Sequence, residues 1–418
     1  MSVISSENLN KIICSSLSII NKDIINHGEI TGYILYKMLE CENRYTKQEL
    51  MDFAMLGILH DIGLYKEPDV SKLKEFETRN PWAHSIYGFL FLKYLSPMQD
   101  KAENVLYHHL DYQLNSYVPQ KYKHVVECLN FADKMDTFMH NTTHNMSTDY
   151  FVMNRNIKFS GHSMDLFLKA EAKYHITQHM KDGSYNDELA ELFSQATLSE
   201  SYKRGFLEML IYSIDFRSEH TVIHTMATVS FARQLGKLMH LNSVDLSNLY
   251  YGALLHDIGK IAIPLEILES TSRLSDEEMR TMKAHVRITE MILEGKVNEE
   301  VVKIASRHHE KLDGSGYHRG LTEADLTLPQ KIVAVADILS ALYGKRSYKD
   351  SFDRTLIEKI LNEDANHHKI SREVVDCLFR NYDSVIATFE KEKNETIGIY
   401  LKIKEQFSVI MKEFEKFE

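Results

Sequence analysis

The amino-acid sequence predicts an all-α protein built from two homologous helical domains in tandem. Three observations carry that prediction. Apolar residues recur at three- and four-residue steps, turn-forming residues are scarce, and one ordered pattern of histidines and aspartates occurs twice. The 418 residues include only 17 Gly and 6 Pro, too few for the many turns of an all-β chain. A hydrophobic share of 44% is enough for two ordinary cores.

The helical reading follows from the order of apolar residues. YSIDFRSEHTVIH (212–224) reads as the opening helix of the second domain. YYGALLHDI (250–258), KIVAVADILSALY (331–343) and IGIYLKIKEQFSVIMKEF (397–414) each gather their apolar side chains on one helical face. Turn signals are local, DGS at 182–184 and DGSG at 313–316. No alternating strand pattern of convincing length appears. The expected boundaries are 1–198 for the first domain, 199–390 for the second, and 391–418 for a C-terminal amphipathic helix.

The repeat sets those boundaries. LGILHDIG (56–63) answers YGALLHDIGK (251–260), PWAH (81–84) answers MKAH (282–285), LYHH (106–109) answers SRHH (306–309), and LNFAD (129–133) answers VAVAD (333–337). Upstream, His27 answers His224. The first His and the His-Asp pair lie 33 residues apart in one half and 32 in the other. The tails correspond too, DLFLKAEAKYH…NDELAELF (165–193) with TLIEKILNEDANHHKISREVVDCLF (355–379).

Composition narrows the function classes. Four cysteines without paired spacing suit a reducing, cytoplasmic setting and exclude a thiolate metal site. No apolar run approaches the roughly 20 residues of a membrane span, and the N-terminus lacks the form of a signal peptide. A net charge of −11, with no long Lys/Arg block, excludes a nucleic-acid polymer as partner. A small anionic ligand would need positive charge supplied locally.

That charge has an evident source. Each half presents seven metal-ligand types in one order: His27, His60, Asp61, His84, His108, His109 and Asp133, then His224, His256, Asp257, His285, His308, His309 and Asp337. A lone His-Asp pair is an ordinary core or surface accident; seven such residues repeated in order are not. Imidazoles and carboxylates without thiolates suit iron, manganese or another borderline divalent ion better than a structural zinc site. Neighbours on a helix point about 100° apart, so His256 and Asp257 cannot chelate one ion as an i,i+4 pair does. They can serve a two-metal centre in which Asp257 bridges, holding a hydroxide and polarising a phosphoryl group.

With LLHDIGKIAIP (254–264), HHEKLDGSGYHRGL (308–321) and VAVADILSALYGKRSYK (333–349), the second half resembles an HD-GYP domain of the HD phosphohydrolase superfamily, closely over 215–355. The first half resembles an HD domain without the GYP loop, with Leu64 where HDIGK has its Lys. Its expected role is regulatory or structural, and its seven residues are a possible second, degenerate metal set. The family is bacterial and hydrolyses cyclic dinucleotides, chiefly cyclic di-GMP and in some tandem members 3′,3′-cGAMP.

The resemblance implies two divalent ions, one held by His224, His256, Asp257 and Asp337, the other by Asp257, His285, His308 and His309. It implies catalytic roles for Asp257 and Lys260, and ligand contacts from Lys260, Gly316, Tyr317, Arg346 and Lys349. The chain departs from the family at His318, which stands where GYP has Pro. At the position of an acidic third-metal ligand in some members it has His220, with Glu219 beside it, so two ions are expected. The implied activity is opening of a cyclic dinucleotide to a linear one by metal-held hydroxide. The alternatives are a cyclic dinucleotide receptor or scaffold without turnover, and an HD-type phosphohydrolase of other nucleotides. Expected partners are the cyclic dinucleotide and a second copy or a signalling protein, with no membrane.

Overall fold

The structure, a computed structural model, describes residues 3–66, 81–140, 148–216, 219–270, 272–344 and 353–417. Among them every regular element is an α- or 3-10 helix, and the two β-bridges, Arg155 with Phe159 and Asp313 with Thr322, are isolated. The all-α expectation holds. None of these helices is long and apolar enough to cross a membrane.

The chain forms two compact units. The first comprises Leu17–Met209 with Lys402–Glu418, and the second comprises Met1–Ser16 with Leu210–Leu401. The sequence-derived boundaries at 198 and 390 therefore need correcting at both ends of the chain. The C-terminal helix is not a separate element starting at 391: it runs from Tyr382 to Phe414, and its last part completes the first unit. Phe407 stacks on Tyr87 with centroids 4.1 Å apart, and Phe414 meets the edge of Trp82 at 5.3 Å.

In the second unit, helices Glu219–Leu238 and Leu328–Gly344 pack face to face. Phe231, Leu235, Val333, Ala336 and Leu339 are fully buried between them. Helix Ser243–Leu255 lies against both, and its start is fixed by Asn242, whose side chain accepts from the N–H groups of Val244 and Asp245. In the first unit the matching helix Lys47–Ile58 begins at Thr46 in a capping box with Glu49. Two unrelated caps thus start the two helices that end in the His-Asp pairs.

Two local readings change. Segment 212–224 is not one helix; Glu200–Asp215 ends and Glu219–Leu238 begins within it. Thr221 donates its hydroxyl to the Asp215 carbonyl at 3.0 Å, so a side chain takes an acceptor that a continuing helix would use. The His-Asp pair likewise lies outside the helix interior. Helix Ser243–Leu255 stops before it, and Asp257, at φ −104° and ψ 8°, leads into the 3-10 turn Ile258–Ala262. The 100° separation expected of helical neighbours does not apply there.

Candidate metal centre

Five separate elements of the second unit each bring one or two donors to a common point. His224 comes from helix Glu219–Leu238 and Asp337 from Leu328–Gly344. His256 and Asp257 end Ser243–Leu255, His285 sits on Asp276–Leu293, and His308 and His309 follow Glu299–Ser306. Gly259 makes the approach possible. A Cβ there would lie 2.1 Å from the His285 carbonyl oxygen, so only glycine lets the turn after Asp257 rest on the next helix.

Hydrogen bonds aim the rings. The Nδ1 atoms of His256, His285 and His308 lie 2.7, 2.6 and 2.7 Å from the carbonyls of Ala253, Met282 and Ala305. Each must donate there, which leaves its Nε2 lone pair facing the centre. His224 is held by Ser340. The Ser340 hydroxyl gives its proton to the Asp337 carbonyl and accepts from Thr228, so His224 Nδ1 donates to it at 2.9 Å.

Around this point Asp257 divides its two oxygens. Oδ2 lies 3.2 Å from Nε2 of both His224 and His256. Oδ1 lies 3.4 Å from His285 Nε2 and 3.9 Å from His308 Nε2. Asp337 Oδ1 is 3.1 Å from His224 Nε2, and its Oδ2 is 3.7 Å from His309 Nδ1. Donors around one divalent ion at about 2.1 Å are separated by roughly 3 to 3.5 Å. His224 Nε2, His256 Nε2 and Asp257 Oδ1 are buried without a properly formed hydrogen bond, a cost that an ion would remove. The donor set therefore fits divalent metal.

The electrostatics of the centre are strongly coupled. Burial opposes charge on His256, yet Asp257 and Asp337 outweigh it and hold the ring up at about 10. Burial pushes His309 down to about 4 and lowers His285 and His308 as well. The Asp257 and Asp337 carboxyls stay well below the usual carboxylate range despite burial, Asp257 through His256 and Lys260, Asp337 through His224 and His256. Lys260 Nζ rests 2.5 Å from Asp257 Oδ2.

The glycine-rich loop behind His309 has its own anchor. Glu310 is buried and accepts from the backbone N–H groups of Arg319 at 2.7 Å and Leu321 at 2.9 Å. Gly316 has no space for a Cβ, which would lie 2.4 Å from the Lys311 nitrogen. The centroids of the Tyr317 and His309 rings lie 4.8 Å apart, and the Lys283 ammonium sits over the Tyr317 ring, 4.8 Å from its centroid. His318 reaches Glu290 at 3.4 Å. Arg346 and Lys349 lie outside the described residues, as do the side chains of His220 and Glu219.

The first unit brings its seven residues together in the same plan. Asp61 Oδ2 lies 3.4 Å from His60 Nε2 and 3.9 Å from His27 Nε2, and Oδ1 lies 3.3 Å from His84 Nε2 and 3.8 Å from His108 Nε2. Asp133 Oδ1 is 3.2 Å from His27 Nε2 and its Oδ2 is 3.7 Å from His109 Nδ1. Burial pushes His60 down to about 4 and His84 to about 3. After His109 the chain forms only the short turn Tyr112–Tyr117.

Sequence reasoning missed Glu310, Lys283 and Asp215. The Glu of HHE was the available signal for the first. Asp215 carries a buried oxygen without a hydrogen bond, and burial pushes its carboxyl up to about 6. Its only sequence signal is an acid nine residues before His224, where the first half has Ser18.

The chain is similar to known proteins over most of its length. Residues 208–374 match the HD domain family. The 3′3′-cGAMP-specific phosphodiesterase 1 of Vibrio cholerae is 27% identical over 392 residues, covering 88% of this chain and 90% of the relative. A cyclic di-GMP phosphodiesterase of Thermotoga maritima is 33% identical over 201 residues, 47% of this chain and 54% of that protein. The crystal structure of a cyclic GMP-AMP-specific phosphodiesterase of V. cholerae superposes with a TM-score of 0.57 over 92% of this chain and 98% of its own, at 16% identity, which speaks for the fold. Over residues 208–374 the second half thus carries the match to the HD domain family, and it is similar there to cyclic dinucleotide phosphodiesterases.

Proposed function

We propose that the second unit is a metal-dependent phosphodiesterase that opens cyclic di-GMP, 3′,3′-cGAMP or both to a linear dinucleotide. The observation that carries this reading is Asp257, whose two oxygens face two different groups of histidines. The relatives that share this half are cyclic dinucleotide phosphodiesterases. Two ions, iron or manganese, suit a set of nitrogens and oxygens without thiolates. Bound there, they would supply Lewis acidity at the phosphoryl group and a nucleophile at neutral pH.

The chain's own residues supply the rest. Burial opposes charge on Lys260, but Asp257 more than restores it, so the ammonium is available to hold the phosphate and give a proton to the leaving oxygen. Burial, with Asp337 and Asp257 nearby, pushes the Tyr317 phenol up. It therefore stays a hydrogen-bond donor at the mouth of the site. Arg346 and Lys349 are assigned to the ligand phosphates from their place in the family pattern. The first unit, without the loop and with Leu64 in place of Lys260, takes a regulatory or structural role. Four cysteines outside any disulfide suit the cytoplasm.

The test is a panel of cyclic dinucleotides, mononucleotides and dNTPs given to the Mn²⁺- or Fe²⁺-loaded protein. Linear dinucleotide is the expected product. Consumption of dNTPs alone would overturn the assignment, and calorimetric binding of a cyclic dinucleotide without product would favour a receptor.

Glu310→Ala tests the loop. Two backbone N–H groups would lose a charged acceptor, each bond contributing about 1.5–3 kcal/mol. KM for the cyclic dinucleotide should rise at least about tenfold while bound metal stays unchanged. A wild-type KM would show that Glu310 does not shape the substrate site.

A further inference from the structure

We infer that the first unit is a second, independent divalent-metal centre, organised around Asp61 as the proposed catalytic centre is organised around Asp257. The inference does not depend on the phosphodiesterase reading, because it concerns residues that the reading does not use.

Convergence alone would not distinguish a working site from an inherited remnant. The unsatisfied donors begin to do so. His60 Nε2, His108 Nε2 and Asp61 Oδ1 are buried without a hydrogen bond, and their neighbours approach at 3.3 to 3.8 Å without hydrogen-bond geometry. Each such group costs roughly 1–3 kcal/mol if nothing satisfies it. The Nδ1 atoms of His60 and His108 are bonded to the Gly57 and Val105 carbonyls at 2.7 and 2.6 Å, so their Nε2 atoms present lone pairs. His84 and His109 share a hydrogen bond between their Nε2 atoms at 2.7 Å, and donor atoms of Asp61, His84, His108 and His109 all lie within 4.8 Å of one another.

The surroundings of the site have been rebuilt, and not merely lost. Where the second unit holds His224 with the hydroxyl of Ser340, the first holds His27 with the carboxylate of Asp136, at 2.5 Å. A carboxylate behind a ligating imidazole fixes its ring and raises its basicity. The lysine has also moved. Leu64 is buried where Lys260 stands in the other half, but Lys134 pairs with Asp133 at 2.8 Å, where the second half has Ile338. Each centre therefore keeps one lysine on one of its two ligating carboxylates. Gly63 is retained for a physical reason as well, because a Cβ there would lie 1.9 Å from the His84 carbonyl oxygen. A donor set of five imidazoles and two carboxylates takes a borderline divalent cation.

Metal counting on the full chain tests this. Wild type, Asp257→Ala and the double variant Asp257→Ala/Asp61→Asn are loaded with Mn²⁺, dialysed and analysed for bound metal, with circular dichroism to confirm that each is folded. Two-metal sites in both units predict about four equivalents in wild type, about two in Asp257→Ala and almost none in the double variant. In the Asp257→Ala chain, Asp136→Asn should weaken Mn²⁺ binding about 10–100-fold. Asp257→Ala protein that is folded yet holds almost no Mn²⁺ overturns the inference. A count that Asp61→Asn leaves unchanged overturns it too. The phosphodiesterase reading is judged separately, on linear product from wild type.

Discussion

Asp257→Ala is expected to lower kcat for cyclic-dinucleotide hydrolysis by at least about 10⁴-fold, equivalent to about 5 kcal/mol of transition-state stabilisation. Asp257 lies between both sets of donors, with one oxygen at 3.2 Å from the first and the other at 3.4–3.9 Å from the second. Without it, both groups of donors lose a carboxylate oxygen, and the ions they would hold should be released. Lys260 also loses its partner, so the cation nearest the proposed scissile phosphate is no longer positioned. Two functions fail through one carboxylate. The substitution leaves His256 and Lys260 without their buried counter-charge, which costs stability, so circular dichroism must first confirm that the variant is folded. Steady-state turnover on a folded sample of known metal content is the measurement, and wild-type-like activity there would refute the mechanism.

Gly259→Ala should have the largest effect on stability, at about 3 kcal/mol or more. The added Cβ would meet the His285 carbonyl oxygen at 2.1 Å and the Thr289 nitrogen at 2.7 Å. Both are backbone atoms of helix Asp276–Leu293, so no side chain can swing aside. The turn would also lose its place on Thr289, whose hydroxyl accepts from the Gly259 N–H at 3.0 Å and donates to the His256 carbonyl at 3.1 Å. Moving that helix carries His285 away from Asp257, so metal binding should weaken together with stability. Chemical denaturation against wild type is the check; an unchanged midpoint would mean that the close approach is not required.

Much of the site was legible because a metal centre constrains residue identity at every ligand. All fourteen candidate ligand residues read from the repeat come together, seven in each unit. Periodicity was also a sound guide within helix interiors, as for 331–343. It failed at helix ends, where single side-chain contacts decide. The predicted helix over 212–224 is two helices, with the Thr221 hydroxyl on the Asp215 carbonyl, and the His-Asp pairs occupy the exit of a helix and not its face. Residues that hold the ligands were harder to see. Ser340 and Asp136 occupy the same position in the two halves but differ in kind, so a repeat search passes over them. Glu310 acts on the backbone of residues nine and eleven places away, a relation that no local pattern encodes.

The division of the chain ends has a genetic consequence. The second unit includes residues 1–16, with Leu9, Ile12 and Ile13 fully buried, while the first includes residues 402–418, with Ile403 and Phe414 buried. A duplicated domain can ordinarily be deleted without harm to its sister. Here, excising the codons of either copy at the repeat boundary removes a stretch of core from the one that is kept. Selection for the second half then preserves the first, whatever the first one does.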